Sequence, residues 1–382
     1  MNLGCDFECT YCYQRLVREK ELLPWDIDAV EKTIRNLCKG EKSRRPQVVV
    51  HGGEPLTLPE ETLERLLALS YELTGRSSIQ TNGFLINESH MEKFRKYKTG
   101  VGVSIDGPWP CNEFRGKGSH YERREQTEKI LANLRQLIDN EINTSVIVVV
   151  HKANGLKSRI PRLKEFIEDL NSMKIAGRLN PCCSGIPRID LTVKEAVDFY
   201  SDMFRWLLEK GVSNWSPFRD IVNVLSGDSN VVCVFRECDP YNTQSATSVL
   251  HDGSLGVCLR LYQDGIIYLR DTECTSMRSS LLRETDCKDC RWFQYCLGGC
   301  SGLSHNFDWR RKDRFCEVYK RLFELTSNAI KFVRKPIQQQ TTPSQYEHLD
   351  GPVRHLDSSL GKRNHSDGLE HLDGDWRHLD SN

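Results

Sequence analysis

The placing of cysteine constrains this chain more than any other feature. Sixteen cysteines occur in 382 residues. Three open the sequence as Cys5-x3-Cys9-x2-Cys12, and eight more run from Cys233 through Cys238, Cys258, Cys287, Cys290, Cys296 and Cys300 to Cys316. Such a number suggests disulfides only in a secreted chain. No apolar stretch precedes Cys5, so Met1-Asn2-Leu3-Gly4-Cys5 makes neither a signal peptide nor a lipoprotein box. The expectation is a reducing, cytoplasmic compartment, in which thiolates at short spacings are metal ligands. With 53 basic and 53 acidic side chains, a strongly basic nucleic-acid binder is excluded. No run of about 18 apolar residues is present, so no membrane span is expected.

Strand-like and helical patterns alternate up to about residue 181. Asp26–Gly40 carries Ile27, Val30, Ile34, Leu37 and Cys38 on one helical face, with Gly40 as the stop. Gln47–His51, Ser78–Gln80, Val101–Ile105, Thr144–His151 and Ile175–Leu179 read as strands. Glu60–Leu73, Glu125–Ile138 and Ser158–Met173 read as helices between them. That order argues a parallel sheet or barrel. The sequence as read from Met1 is expected to open on a loop, with no room for a strand before Cys5, so that either the first strand is absent or the start codon is misplaced. A helical connector follows Thr192, then the cysteine-rich region, then a closing helix over Glu317–Arg334.

Residues 336–382 differ in kind. They hold no cysteine, five of the eleven histidines, four basic and eight acidic side chains. The composition predicts a disordered tail. It contains a repeat, Glu347-His-Leu-Asp-Gly-Pro-Val-Arg-His-Leu-Asp357 returning as Glu370-His-Leu-Asp-Gly-Asp-Trp-Arg-His-Leu-Asp380, too short and polar to bury a core.

Three thiolates on one tight loop suit three irons of a 4Fe–4S cubane, leaving the fourth iron open. A structural zinc site wants four protein ligands. One βα unit later stands His51-Gly-Gly-Glu-Pro55, then Gln80-Thr-Asn-Gly83 and Ser104-Ile-Asp-Gly-Pro108. Together these segments resemble the radical S-adenosylmethionine (SAM) enzymes. The resemblance implies a partial (β/α)6 TIM-like barrel over 1–190, with the site at the C-terminal ends of its strands. It implies a SAM-binding 4Fe–4S cluster on Cys5, Cys9 and Cys12. It implies SAM contacts from Gly52, Gly53 and Glu54 to the methionine amino group, from Ser104 to ribose and methionine, from Arg115 to the methionine carboxylate, and from Tyr11 on the adenine side. One-electron cleavage of SAM would then give a 5′-deoxyadenosyl radical, with the protein supplying orientation and exclusion of water and oxygen.

The later cysteines, in the order Cys238-x14-Gly253-x4-Cys258, then Cys287-x2-Cys290-x5-Cys296-x3-Cys300, then Cys316, resemble the SPASM signature. After a connector over 191–230, this implies a small iron–sulfur SPASM domain over 231–335. By resemblance, Cys233, Cys238, Cys258 and Cys300 would hold one auxiliary 4Fe–4S cluster and Cys287, Cys290, Cys296 and Cys316 another, making three clusters in all. A double zinc ribbon is the competing reading. Full protein ligation suits electron transfer. Of the other five, Cys38 reads as core. Cys182 and Cys183 read as a structural loop at a strand end or as pointing into the cavity. Cys274 reads as a spare thiol, and Cys111 has no assigned role.

SPASM-bearing relatives mostly modify peptides or proteins. Sulfatase maturases in the family carry an Asp base after the second cysteine of the Gly-x4-Cys stretch, where this chain has Leu259. Cyclophane-forming maturases join an aromatic ring to the β-carbon two residues on. The tail offers that pattern at His348 and Asp350, His355 and Asp357, His365 and Asp367, His371 and Asp373, and His378 and Asp380. The tail, 336–382, is therefore expected to be a fused precursor peptide, which raises the effective substrate concentration. An inert tail, a metal-binding tail with a separate peptide substrate, and an iron–sulfur electron carrier without SAM chemistry are the alternatives. Expected partners are the peptide, an electron donor such as flavodoxin or ferredoxin, and a protease.

Overall fold

The computed structural model describes residues 4–14, 25–40, 47–228, 233–241, 246–269 and 276–334. The repeat tail and Cys274 lie outside them.

Six strands form one all-parallel sheet in chain order: β1 (Val49–Val50), β2 (Ser77–Thr81), β3 (Thr99–Ser104), β4 (Thr144–Val150), β5 (Ala176–Pro181) and β6 (Trp215–Ser216). Parallel neighbours need crossovers, and helices supply them. They are α1 (Ile27–Gly40) before the sheet, then α2 (Glu60–Thr74), α3 (Glu88–Lys96), α4 (His120–Asp139), α5 (Lys152–Gly155), α6 (Ile160–Ser172), α7 (Val193–Glu209) and, after β6, α8 (Phe218–Leu225). This is the expected α/β partial barrel.

Local chemistry sets the helix ends. Pro59, Glu60 and Glu61 open α2, and Gly75 closes it in the left-handed region, its N–H bonded to the Tyr71 carbonyl. Reciprocal capping boxes, Ser119 with Glu122 and Thr192 with Glu195, start α4 and α7. The first of them moves the start of α4 from the expected Glu125 to His120. Helix α3 has no counterpart in the pattern reading, because His90, Met91 and Phe94 are its buried side chains and the rest is polar.

The sixth strand lies inside the segment read as a helical connector, so the sheet extends past residue 190. Two residues give no periodicity to read. Contact decides it: Trp215 is fully buried, and a Cβ at Gly177 would stand 2.5 Å from its ring. Glycine at 177 lets the indole lie on β5.

The two faces of the sheet differ. Val101, Val103, Val146, Val148 and Val150 turn to the helical layer and are buried. The alternate positions face the barrel interior, and register aligns Ser104 with Ile147, Ile147 with Arg178, and Arg178 with Ser216.

The cysteine-rich part docks onto this barrel. Its hairpin, β7 (Ser248–Val249) with β8 (Leu255–Gly256), meets α1, where the Asp26 N–H donates to the His251 carbonyl and the Thr33 hydroxyl to the Gly253 carbonyl. Short helices α9 (Met277–Glu284) and α10 (Phe293–Cys296) precede the closing α11 (Cys316–Arg334). Helix α11 packs on α7 and α8, with Phe235 edge-on to Tyr319 and Phe323. None of the helices in the described residues is long and apolar enough to cross a membrane.

Candidate functional site

The residues singled out in the first half converge on the C-terminal ends of β1 to β4. The Glu54 N–H donates to the Gly4 carbonyl at 2.7 Å, which ties the segment after β1 to the cysteine loop. The Glu54 carboxylate is buried. It accepts from the Leu56 N–H and the Thr81 hydroxyl on one oxygen, and from the Asn82 N–H on the other. Burial raises its pKa to about 7 against these donors. Asn82 donates its side-chain amide to Asp6, so the end of β2 also reaches the loop.

Cys5, Cys9 and Cys12 share that loop. Burial, opposed by the Phe7 N–H and aided by the Cys9 thiolate, pushes the Cys5 thiol up to about 12. Burial likewise raises Cys9, which neighbours Cys12 and Arg115. The Thr10 and Glu8 N–H groups donate to the Phe114 and Gly116 carbonyls, and the Gly116 N–H donates to Cys9 Sγ at 3.4 Å.

Asp106 organises the far wall, and sequence reasoning gave it no role although it stood inside the quoted Ser104–Pro108 segment. It is fully buried. Its carboxylate accepts from Tyr11 Oη, Arg115 Nη2 at 3.2 Å and the Val149 N–H at 2.9 Å, and His151 Nε2 is 3.2 Å away. Burial opposes its charge, yet Arg115, His151 and Tyr11 hold its pKa down to about 2. Arg115 stands 5.6 Å from the Tyr11 ring centroid, and its Nε has no partner among the described residues. Ser104, at the end of β3, accepts from Gln80 Nε2 at 2.8 Å.

The later cysteines gather in two neighbourhoods. Burial and then the Cys300 and Cys238 thiolates raise Cys258, and Cys300 in turn neighbours Cys233 and Cys238. Burial raises Cys296, next to Cys287 and Cys290, and Cys316, next to Cys296. Among the described residues no three His, Cys, Asp or Glu side chains converge on a single-ion site.

Two buried residues that sequence reasoning missed shape the loop carrying Cys300. Arg278 donates to the carbonyls of Trp309, Gly299, Gly298 and Arg311. Asp313 accepts from the Cys300 and Phe315 N–H groups. Arg260 lies over the Tyr13 ring at 5.3 Å, bridging the first cysteine loop and the segment of Cys258. Leu259 is buried in a small apolar cluster with Val257, Leu261 and Tyr262. Cys38 packs on the main core, Cys111 and Cys182 are buried, and Cys183 accepts from Arg314.

Residues 1–155 match the family described as the radical SAM superfamily. These residues are a radical SAM domain. Over 369 residues the chain is 24% identical to the cysteine-type anaerobic sulfatase-maturating enzyme of Clostridium novyi (strain NT), a match covering 87% of this chain and 95% of that enzyme. The structure of native anSMEcpe with bound AdoMet and Cp18Cys peptide has a TM-score of 0.70 at 20% identity, covering 86% of this chain and 95% of that one. Streptococcus suis SuiB bound to precursor peptide SuiA has a TM-score of 0.54 at 16% identity, covering 78% and 70%. These two likenesses concern the fold.

Radical SAM enzymes bind SAM and an iron–sulfur cluster, and the donors here fit both. Cys9 neighbours Cys12, Cys5 neighbours Cys9, and none of the three loop thiols carries a disulfide. Arg115 keeps an unpartnered Nε for an anionic group.

Proposed function

We propose that this radical SAM enzyme is a peptide maturase. Cys5, Cys9 and Cys12 hold the SAM-binding 4Fe–4S cluster. The Gly52, Gly53 and Glu54 segment, Ser104, Arg115 and Tyr11 surround SAM. Cys233, Cys238, Cys258 and Cys300, and Cys287, Cys290, Cys296 and Cys316, hold two auxiliary clusters in a SPASM domain. When bound, the SAM cluster and SAM supply a radical that takes a hydrogen atom from an unactivated carbon.

The chain's own part is orientation. Asp106 keeps Arg115 charged and aimed, fixes the Tyr11 hydroxyl, and is itself buttressed by Val149 and His151. Glu54 joins β1, β2 and the cysteine loop through groups that exclude water. The observation that carries the reading is this convergence of Cys9, Tyr11, Asp106 and Arg115 at the strand ends. The similarity to a sulfatase-maturating enzyme along nearly the whole chain supports an action on peptides or proteins.

The substrate is the chain's own tail. Its five His-x-Asp units, from His348 to Asp380, each offer an imidazole and an Asp β-carbon for a cross-link. Each link removes two hydrogens: one leaves as an atom to the 5′-deoxyadenosyl group, the other as a proton to solvent, and the electron left behind would pass to the auxiliary clusters, so that SAM is the net oxidant. A flavodoxin- or ferredoxin-like donor supplies the reducing electron, and a protease releases the product. Sulfatase maturation is not favoured, since the base position is the buried Leu259. A second reading, action on a separate precursor, is favoured by the likeness to SuiB, whose structure holds a precursor peptide.

Mass spectrometry tests this. The reconstituted chain, given SAM and reductant, should lose two hydrogens per unit, with fragment ions missing inside it. An unchanged tail beside released 5′-deoxyadenosine overturns the tail as substrate. Absence of 5′-deoxyadenosine overturns the enzyme reading in favour of an electron carrier.

A further inference from the structure

Arg260 lies where the two halves of the chain meet. It follows Cys258 by two residues, on a tight helical turn over Leu259–Asp264. Its guanidinium stands 5.3 Å from the centroid of the Tyr13 ring, and Tyr13 comes directly after Cys12 of the first loop. It lines one cavity with Cys233 and Cys300, and it faces His51 at the turn after β1. Packing fixes its stem: a Cβ at Gly302 would stand 2.7 Å from Arg260 Cβ, so glycine lets the segment after Cys300 lie against it. The side chains acting on it most strongly are, in order, Cys300, Tyr13, Cys258 and Cys233, none of them a carboxylate. The buried Asp313 carboxylate is shared between Arg260 and Arg278. The thiols themselves suit a cluster. Cys233, Cys238, Cys258 and Cys300 carry no disulfide, and Cys300 neighbours the other three.

We propose that Arg260 sets the reduction potential of the auxiliary cluster held by Cys233, Cys238, Cys258 and Cys300, raising it so that this cluster takes the electron left behind when the peptide cross-link closes. The proposal rests on the auxiliary site of the peptide-maturase reading and deepens it. A 4Fe–4S cluster on four thiolates is an anion, and reduction adds one further negative charge. A fixed cation beside it therefore stabilises the reduced form more than the oxidised form. Arginine suits the task because it stays charged at any working pH and is weakly hydrated. The electrons balance. Cleavage of SAM takes one electron from the cluster of the first loop. The substrate then loses a hydrogen atom to the 5′-deoxyadenosyl group, a proton to solvent and one electron to the oxidised auxiliary cluster. Place matters as much as charge. Tyr13 neighbours both Cys12 and Cys258, and His51 precedes Gly52, so the guanidinium stands between the proposed SAM site and the auxiliary thiols, on the side from which that electron arrives. The second group of thiols has cations of its own, Lys312 and Arg278 beside Cys287, and Lys312 and Lys320 beside Cys316.

The test is a redox titration of the reconstituted full-length chain, followed by electron paramagnetic resonance. The first loop's cluster is recognised by the change in its signal when SAM is added, and Cys258→Ser marks the signal of the first auxiliary site. Arg260→Gln and Arg260→Met both remove the charge, and each should move that site's midpoint to more negative potential. Where the cluster is half reduced in the unaltered chain, its reduced-to-oxidised ratio should fall about tenfold, a shift of about 59 mV for one electron. Arg260→Lys keeps the charge and should return most of the shift. The midpoint belonging to Cys287, Cys290, Cys296 and Cys316 should stay where it is. An unmoved midpoint at the first auxiliary site overturns the proposal. So does an equal shift of both auxiliary midpoints, which a general loosening of the domain gives, and so does a shift that Arg260→Lys leaves in place. Loss of one cluster's iron from both neutral variants assigns Arg260 to holding the loop and overturns it as well. Failure of the underlying reading looks different: the unaltered chain then holds the iron of the first loop and shows no auxiliary midpoint.

Discussion

The Arg115 guanidinium donates to the Asp106 carboxylate at 3.2 Å, with both side chains buried. Asp106 leaves β3 and Arg115 lies on the loop beyond it, yet the pair also captures Tyr11 from the cysteine loop and His151 from the end of β4. One carboxylate thus fixes three segments around the place where SAM is proposed to bind.

Asp106→Asn keeps the shape and removes the charge. Arg115 then becomes a buried cation without its counter-ion, which costs about 3–5 kcal/mol. A urea titration of the variant should show that loss. Unchanged stability would mean that Arg115 finds another partner.

Glu54 makes stability depend on pH. Its carboxyl titrates near 4.5 when unfolded and near 7 when folded, because burial disfavours the charge. Between those values the folded chain keeps a proton that the unfolded chain gives up. Stability therefore falls as pH rises from about 4.5 to 7, by an amount on the order of 3 kcal/mol. Glu54→Gln should flatten that window in denaturant titrations, and a slope unchanged in the variant would assign it to another group.

Gly177→Ala tests the docking of β6. The new Cβ would stand 2.5 Å from the buried Trp215 ring and 2.8 Å from Val146 Cγ2. Overpacking of this kind costs about 1–3 kcal/mol. Thermal unfolding followed by tryptophan fluorescence reads it directly.

Arg278→Met leaves the carbonyls of Gly299, Trp309 and Arg311 without this donor, while that of Gly298 keeps the Asp313 N–H. Each unpaired buried acceptor costs about 1–3 kcal/mol. Limited proteolysis should open the loop of Cys300 first, and the reconstituted variant should lose iron while keeping the share bound by Cys5, Cys9 and Cys12. Iron lost equally from every site would instead indicate global unfolding.

Much of the barrel was legible in sequence because its signals are local. Strands β2 to β5 and helices α1, α2 and α6 carry their own periodicity, so their places follow within a few residues. Strand β6 was not legible: two residues have no period, and only the glycine on β5 makes room for Trp215. The cysteine spacings were legible in sequence, but the meeting of Cys258 with Cys238 and Cys300 depends on the fold, since 20 and 42 residues of chain separate them.

The sequence by itself determined which chemical groups are present and in what order: the early and late runs of cysteines and the Gly-Gly-Glu-Pro turn, set along alternating strands and helices. The tertiary structure decided which side chains face one another across the interior. Asp106 meets Tyr11 from 95 residues away, and Arg178 joins the row of Ser104 through Ile147. Pairing of distant strands in register makes those meetings, and register is a property of the assembled sheet rather than of any one segment.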